Sequence, residues 1–88
     1  MATAPKIEAG NAVLALSPHD ILVGDRLGAF HPDKAAALGR MMAEDGQIVP
    51  IIVRASGPRA ALPWTLVAGH HRLEGGKMEQ LALIDAIV

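Results

Sequence analysis

The sequence has no cysteine and no tyrosine, and only one phenylalanine and one tryptophan. The missing cysteines exclude disulfides, thiolate zinc clusters and cysteine nucleophiles. With so few aromatic residues, the core is expected to be aliphatic, built from Leu, Ile, Val and Met. No stretch approaches the roughly 18 apolar residues that a membrane-spanning helix needs. Met1 to Asn11 has no cationic segment followed by a long apolar run, so it does not read as a signal peptide. A cytoplasmic location without membrane contact is the default expectation. Excess positive charge is lacking as well. Eight Lys and Arg face nine Asp and Glu, for a net charge of −1 and a pI near 6.4. Sequence-independent DNA affinity comes mainly from basic residues that neutralise phosphates. Any contact with DNA is therefore expected to run through another domain or chain.

The composition nevertheless indicates a folded globule. Hydrophobic residues make up 51% of 88 residues, which argues against disorder and allows one domain. Met1 to Asn11 reads as a flexible tail and residues 12–88 as the domain. Ala12 to Leu16 is a short apolar strand candidate ended by Ser17-Pro18, and His19-Asp20 reads as a turn. Ile21 to Val23 is a further short apolar run, and Gly24 to Gly28 reads as a loop.

The clearest helix begins at Pro32, which suits a first helical position, with Asp33 favourably placed in the first turn. Ala35, Leu38, Met41 and Met42 share a face, so both methionines read as core. Arg40 and Glu44 are spaced for an i,i+4 ion pair. Gly46 is expected to end the helix in the left-handed conformation, and Gly39 to weaken its middle by about 1 kcal/mol relative to alanine. Ile48 to Arg54 reads as a buried strand with Pro50 at its entry. Ala55 to Pro63 is a hairpin loop leading to an antiparallel strand, Trp64 to Ala68. A second helix runs from His70 to about Gln80, with Gly75-Gly76 as a liability. A last strand, Leu83 to Val88, runs into the C-terminus, as in a chain cut at a domain boundary. The expected class is α+β: a small mixed β-sheet with two principal helices.

The segment Leu66 to Arg72 is the most informative. A strand runs into Gly69 and a helix starts at once. Unpaired N–H groups at a helix start, reinforced by the helix dipole, favour an anion. Gly69 permits close backbone approach, Arg72 offers a planar fork for phosphate oxygens, and His71 can donate or carry charge. On spacing alone, an ordinary strand–helix turn with solvated polar residues is the simpler account, because short motifs match by chance.

Gly69-His70-His71-Arg72 resembles the signature of the ParB/sulfiredoxin superfamily. ParB-type proteins carry Gly-Glu-Arg-Arg there, and sulfiredoxins carry Gly-Cys-His-Arg. Ile48, Pro50, Ile51, Val53 and Arg54 match an apolar strand of the form Ile-x-Pro-Ile-x-Val-Arg. Asp25-Arg26 falls where ParB proteins have Gln-Pro-Arg, and Gly75 and Gly76 replace two alanines. The resemblance spans residues 12 to 88 and implies a ParB-like N-terminal nucleotide-binding domain, with a ParB/sulfiredoxin-like fold. It implies that Gly69, His70, His71 and Arg72 hold the phosphates of a nucleoside triphosphate, CTP or ATP, which could bring magnesium with it. Arg26, Gly46 and Gln47 would line the rest of the pocket.

The implied role is plasmid or chromosome partition or DNA-associated regulation, with self-association left open. The departures from the signature matter. Without cysteine, sulfiredoxin chemistry by the usual route is excluded, and without Gly-Glu-Arg-Arg, CTP binding and hydrolysis do not follow from the signature. Enzyme activity thus stays undecided and no catalytic residue is assigned. A phosphotransferase or metal-dependent nuclease on the same scaffold would need a carboxylate aimed at the loop, with Glu44 or Glu74 nearest. A third reading is a degenerate interaction domain without ligand. Neighbouring His70 and His71 diverge on a helix, and His19 and His31 fit no zinc spacing, so no metal site built from protein ligands is assigned. Trp64 reads as a core anchor rather than a base-stacking platform.

Overall fold

The computed structural model describes residues 13–24 and 28–88. The expected tail and Arg26 lie outside them. Strand β1 is Val13–Leu16, followed by a 3-10 turn at Pro18–Asp20 and a two-residue strand β2, Ile21–Leu22. Helix α1 is Pro32–Asp45. Strands β3, Ile51–Ala55, and β4, Trp64–Ala68, form the hairpin. Helix α2 is His70–Met78 and strand β5 is Ile84–Ile87.

The five strands form one mixed sheet in the order β1-β5-β3-β4-β2. The β1–β5 and β3–β4 pairs are antiparallel, and β3–β5 and β2–β4 are parallel. The fold is the mixed sheet with two helices that the patterning implies. The core is aliphatic, as a chain so poor in aromatics requires. Ile21, Ile51, Val53, Leu66, Ile84 and Ala86 from the strands bury against Leu73 of α2. Trp64 is half-buried against this cluster.

Three local expectations are corrected. Strand β3 starts at Ile51 rather than Ile48, and Ile48 and Val49 are exposed. Pro50 has no N–H for a ladder. Gln47 bridges the gap with its side chain instead: Oε1 accepts from the Asp85 N–H at 2.6 Å, and Nε2 donates to the Asp85 and Val49 carbonyls at 3.0 and 3.1 Å. The amide thus imitates a backbone rung onto β5.

The second correction concerns helix packing. The stripe buried on α1 is Ala35, Gly39 and Met42, while Leu38 is half-buried and Met41 is 56% exposed. Helix α1 makes its main contact with α2, backbone against backbone. A Cβ added to Gly39 would stand 2.8 Å from the Gly75 carbonyl carbon, and one added to Gly75 would stand 2.8 Å from the Gly39 nitrogen. Both glycines are therefore contact residues of the helix pair rather than weak points.

The third correction concerns single interactions. Arg40 and Glu44 do not pair; among the described residues Glu74 pairs with Lys77 at 3.4 Å and with His70 at 3.7 Å. Gly46 ends α1 with φ +85° and ψ 162°, a positive φ but not the left-handed helical conformation, while its N–H still donates to the Met42 carbonyl at 2.9 Å.

Candidate functional site

Gly69 joins β4 to α2 with φ +99° and ψ 31°, the left-handed conformation that glycine adopts without a Cβ penalty. Space as well as dihedral demands glycine, because a Cβ there would meet the Ile51 side chain at 2.7 Å. Gly69 has no side chain with which to cap the helix that follows. The first-turn N–H groups of α2 have no intrahelical acceptor, and the helix dipole makes that end attractive to an anion.

Around this start lies a groove of about 420 Å³ lined by Lys34, Leu38, Val67, Ala68 and Gly69 to Arg72. A second cavity, about 220 Å³ and mostly apolar, adjoins it; Leu38, Met41, Met42, Ile48 and Val49 form its apolar walls, with Asp45 and Gly46 at the end of α1. Leu38 and Arg72 line both. The pair reads as one site with a cationic, N–H-rich end and an apolar end, joined at the Arg72 side chain. Among the described residues no carboxylate lines the groove. Glu74 is engaged by Lys77 and His70, and Glu44 is exposed at the far end of α1.

Five of the seven residues expected at the site line these two depressions: Gly69, His70, His71 and Arg72 the groove, with Gly46 and again Arg72 in the cavity. Gln47 lines neither, its amide being spent on β5, and Arg26 lies outside the described residues. His71 is placed differently from expectation. Its Nε2 accepts the His31 backbone N–H at 3.0 Å, so that nitrogen carries no proton in this arrangement. Desolvation, and then the charges of Lys34, His31 and His70, hold its pKa below the ordinary histidine value. His71 thus stands as a neutral ring, not as an added charge. Beside it, His70 Nδ1 is buried with no hydrogen-bond partner among the described residues.

Sequence reasoning missed Lys34 and Leu38, which share a helix face at i,i+4, and assigned Met41 to the core. It also missed the ring cluster in which Phe30 stacks on His71 at 5.2 Å and tilts against His70 at 4.8 Å. Among the described residues no group of three or more His, Asp or Glu is placed to hold a metal ion.

A family model, the ParB N-terminal domain, matches residues 3–88. The chain belongs to the ParB N-terminal domain family. Solved structures of the same fold agree. The C-terminally truncated chromosome-partitioning protein ParB from Caulobacter crescentus, complexed with CTP-gamma-S, superposes with a TM-score of 0.74 at 21% identity, over 85% of this chain and 42% of that one. The same truncated protein complexed to the centromeric parS site gives 0.68 at 22% identity, over 81% and 37%. Sulfiredoxin from Arabidopsis thaliana gives 0.67 at 21% identity, over 85% and 81%. This ParB-family chain thus spans less than half the length of the ParB chains it resembles, and most of the sulfiredoxin. No curated relative matches it.

Proposed function

We propose that the chain is the nucleotide-phosphate-binding module of a ParB-like protein that serves plasmid or chromosome partition, or DNA-linked regulation. The observation that carries this reading is the start of α2 after the left-handed Gly69, opening into a groove with Lys34 and Arg72 on its walls. The triphosphate lies along that cationic end. The adjoining apolar cavity, reached past Arg72, suits the flatter and less charged part of a nucleotide. A ParB of the same fold was crystallised with CTP-gamma-S, which supports a cytidine nucleotide over other anions of similar charge. Magnesium enters with the nucleotide, bound chiefly by phosphate oxygens and water. Arg26, which precedes α1 in the sequence, contributes to the pocket, and Gln47 supports the cavity by fixing residues 47–49 to β5. No catalytic role is assigned: none of the described carboxylates lines the groove, and Asp45, beside the adjoining cavity, is exposed at the end of α1. DNA is contacted by another domain or chain, in keeping with the net charge of −1.

Calorimetric titration with CTP and with ATP, each with and without magnesium, tests the reading. Saturable one-site binding of a nucleoside triphosphate, weakened when magnesium is removed, is expected. Heats no different from dilution for both nucleotides would sink it.

A further inference from the structure

The segment that enters α1 is fastened to the start of α2 by rings and a single hydrogen bond. The His31 N–H donates to His71 Nε2 at 3.0 Å. The His31 and His71 rings lie 5.8 Å apart and 9° from parallel, and Phe30 stacks on His71 at 15°. Gly28, at φ +82°, bends the backbone just before this attachment. An imidazole nitrogen accepts a hydrogen bond only while it carries no proton. The fastening therefore requires His71 to be neutral with its proton on Nδ1.

We propose that residues 28–31 are a proton-operated latch over the first turn of α2, closed while His71 is neutral and released when it is protonated. Protonation replaces the acceptor by a donor facing a donor. It also places a cation among groups that are mostly basic. Lys34 stands on α1, His31 on the latch itself, and His70 and Arg72 flank His71 on α2. Among the described residues the negative groups on these two helices' facing turns are Asp33 in the first turn of α1 and Glu74, already engaged by His70 and Lys77. β4 offers only Val67 and Ala68 to the groove. The 3-10 turn that touches α2 carries His19 and Asp20, both exposed. Desolvation, Lys34, His31 and His70 all lower the His71 pKa, in that order.

The direction of the switch follows. Opening removes the His31 charge and part of the desolvation, so the open segment lets the His71 pKa rise toward its ordinary value, and the closed one holds it lower. The latch is fully present above that ordinary value and is lost as pH falls toward the lowered one. Between the two values the closed-to-open ratio drops about tenfold per pH unit, the slope of one proton. The switch concerns this chain alone and does not depend on which ligand the groove takes.

Nuclear magnetic resonance of the whole 88-residue chain tests it. At neutral pH the His71 ring nitrogens should show the Nδ1–H tautomer, with the His31 amide protected from exchange. On acidification the His31 amide shift, its protection and the Phe30 ring signals should change with one midpoint, that of His71. His71→Phe keeps a flat ring for stacking but removes acceptor and proton, so the His31 amide should lose its protection and its pH dependence together. Lys34→Met should move the wild-type midpoint upward. A His71 proton on Nε2 at neutral pH, or a His31 amide indifferent to the His71 titration, overturns the proposal.

Discussion

Arg72 is the side chain that lines both depressions, and its guanidinium makes no ion pair among the described residues. A charge-assisted, bidentate contact to phosphate contributes about 1.5–3 kcal/mol. Arg72→Ala should therefore weaken nucleotide binding by roughly ten- to a hundredfold. Arg72→Lys should recover only part of the loss, since a point charge cannot reproduce the fork. The melting temperature without ligand should stay close to that of the parent chain. Affinity and melting temperature measured on the same mutant separate a ligand-binding arginine from a packing one. A mutant with a lowered melting temperature and unchanged affinity would remove Arg72 from the site. At this scale the Gly69-to-Arg72 loop was legible because its chemistry is local: an apolar run, a glycine, then cationic and hydrogen-bonding side chains. The role of His71 was not, since its partner is the backbone of a residue forty positions earlier. Nothing in residue type says which imidazole nitrogen a distant amide will choose.

Among the elements, the helix pair is where periodicity and structure part. The i, i+3, i+4 pattern placed α1 correctly and identified Ala35 and Met42 as buried. It turned Met41 inward and treated Gly39 as a defect, because hydrophobicity scores reward size. The contact here selects the absence of a side chain, and neither glycine announces its partner along the chain. Overpacking a close contact costs about 1–3 kcal/mol when the surroundings must shift, and here the atoms in the way are backbone. Gly75→Ala and Gly39→Ala should each lower stability by about that amount, despite alanine's better helix propensity. In a domain of this size, each kcal/mol lowers the melting temperature by about 4–8 °C, which a thermal scan reads directly. A melting temperature raised by either substitution would contradict the packing. The same reasoning applies to β3. Its apolar, β-branched composition marked a strand, but the start moved to Ile51, where the Gln47 side chain takes the place of a backbone rung before it.

For the whole molecule, charge decides what the domain can do alone. With a net charge of −1 and basic residues that form no run in the sequence, the isolated chain should bind duplex DNA weakly. Titrations at two salt concentrations should show a shallow dependence on salt, since few counterions are released. Tight, sequence-specific binding by these residues alone would contradict the division of labour proposed above. Fold class, strand count near the hairpin and both helices followed from local patterns. The order of strands did not, because pairing across the sheet is fixed by packing rather than by neighbours in the chain.

That order has a consequence for how the domain is made. Among the described residues strand β1 pairs only with β5, and β5 also pairs with β3. Among the described strands, the first therefore finds its place only through the last. Until Ile84–Ile87 has emerged from the ribosome, β1 has no neighbour and β3 keeps an open edge, although the hairpin and α2 can already associate. Contacts that close so long a span form late. The sheet is thus completed only once β5 is available, and the folding domain carries an unpaired, apolar edge until then.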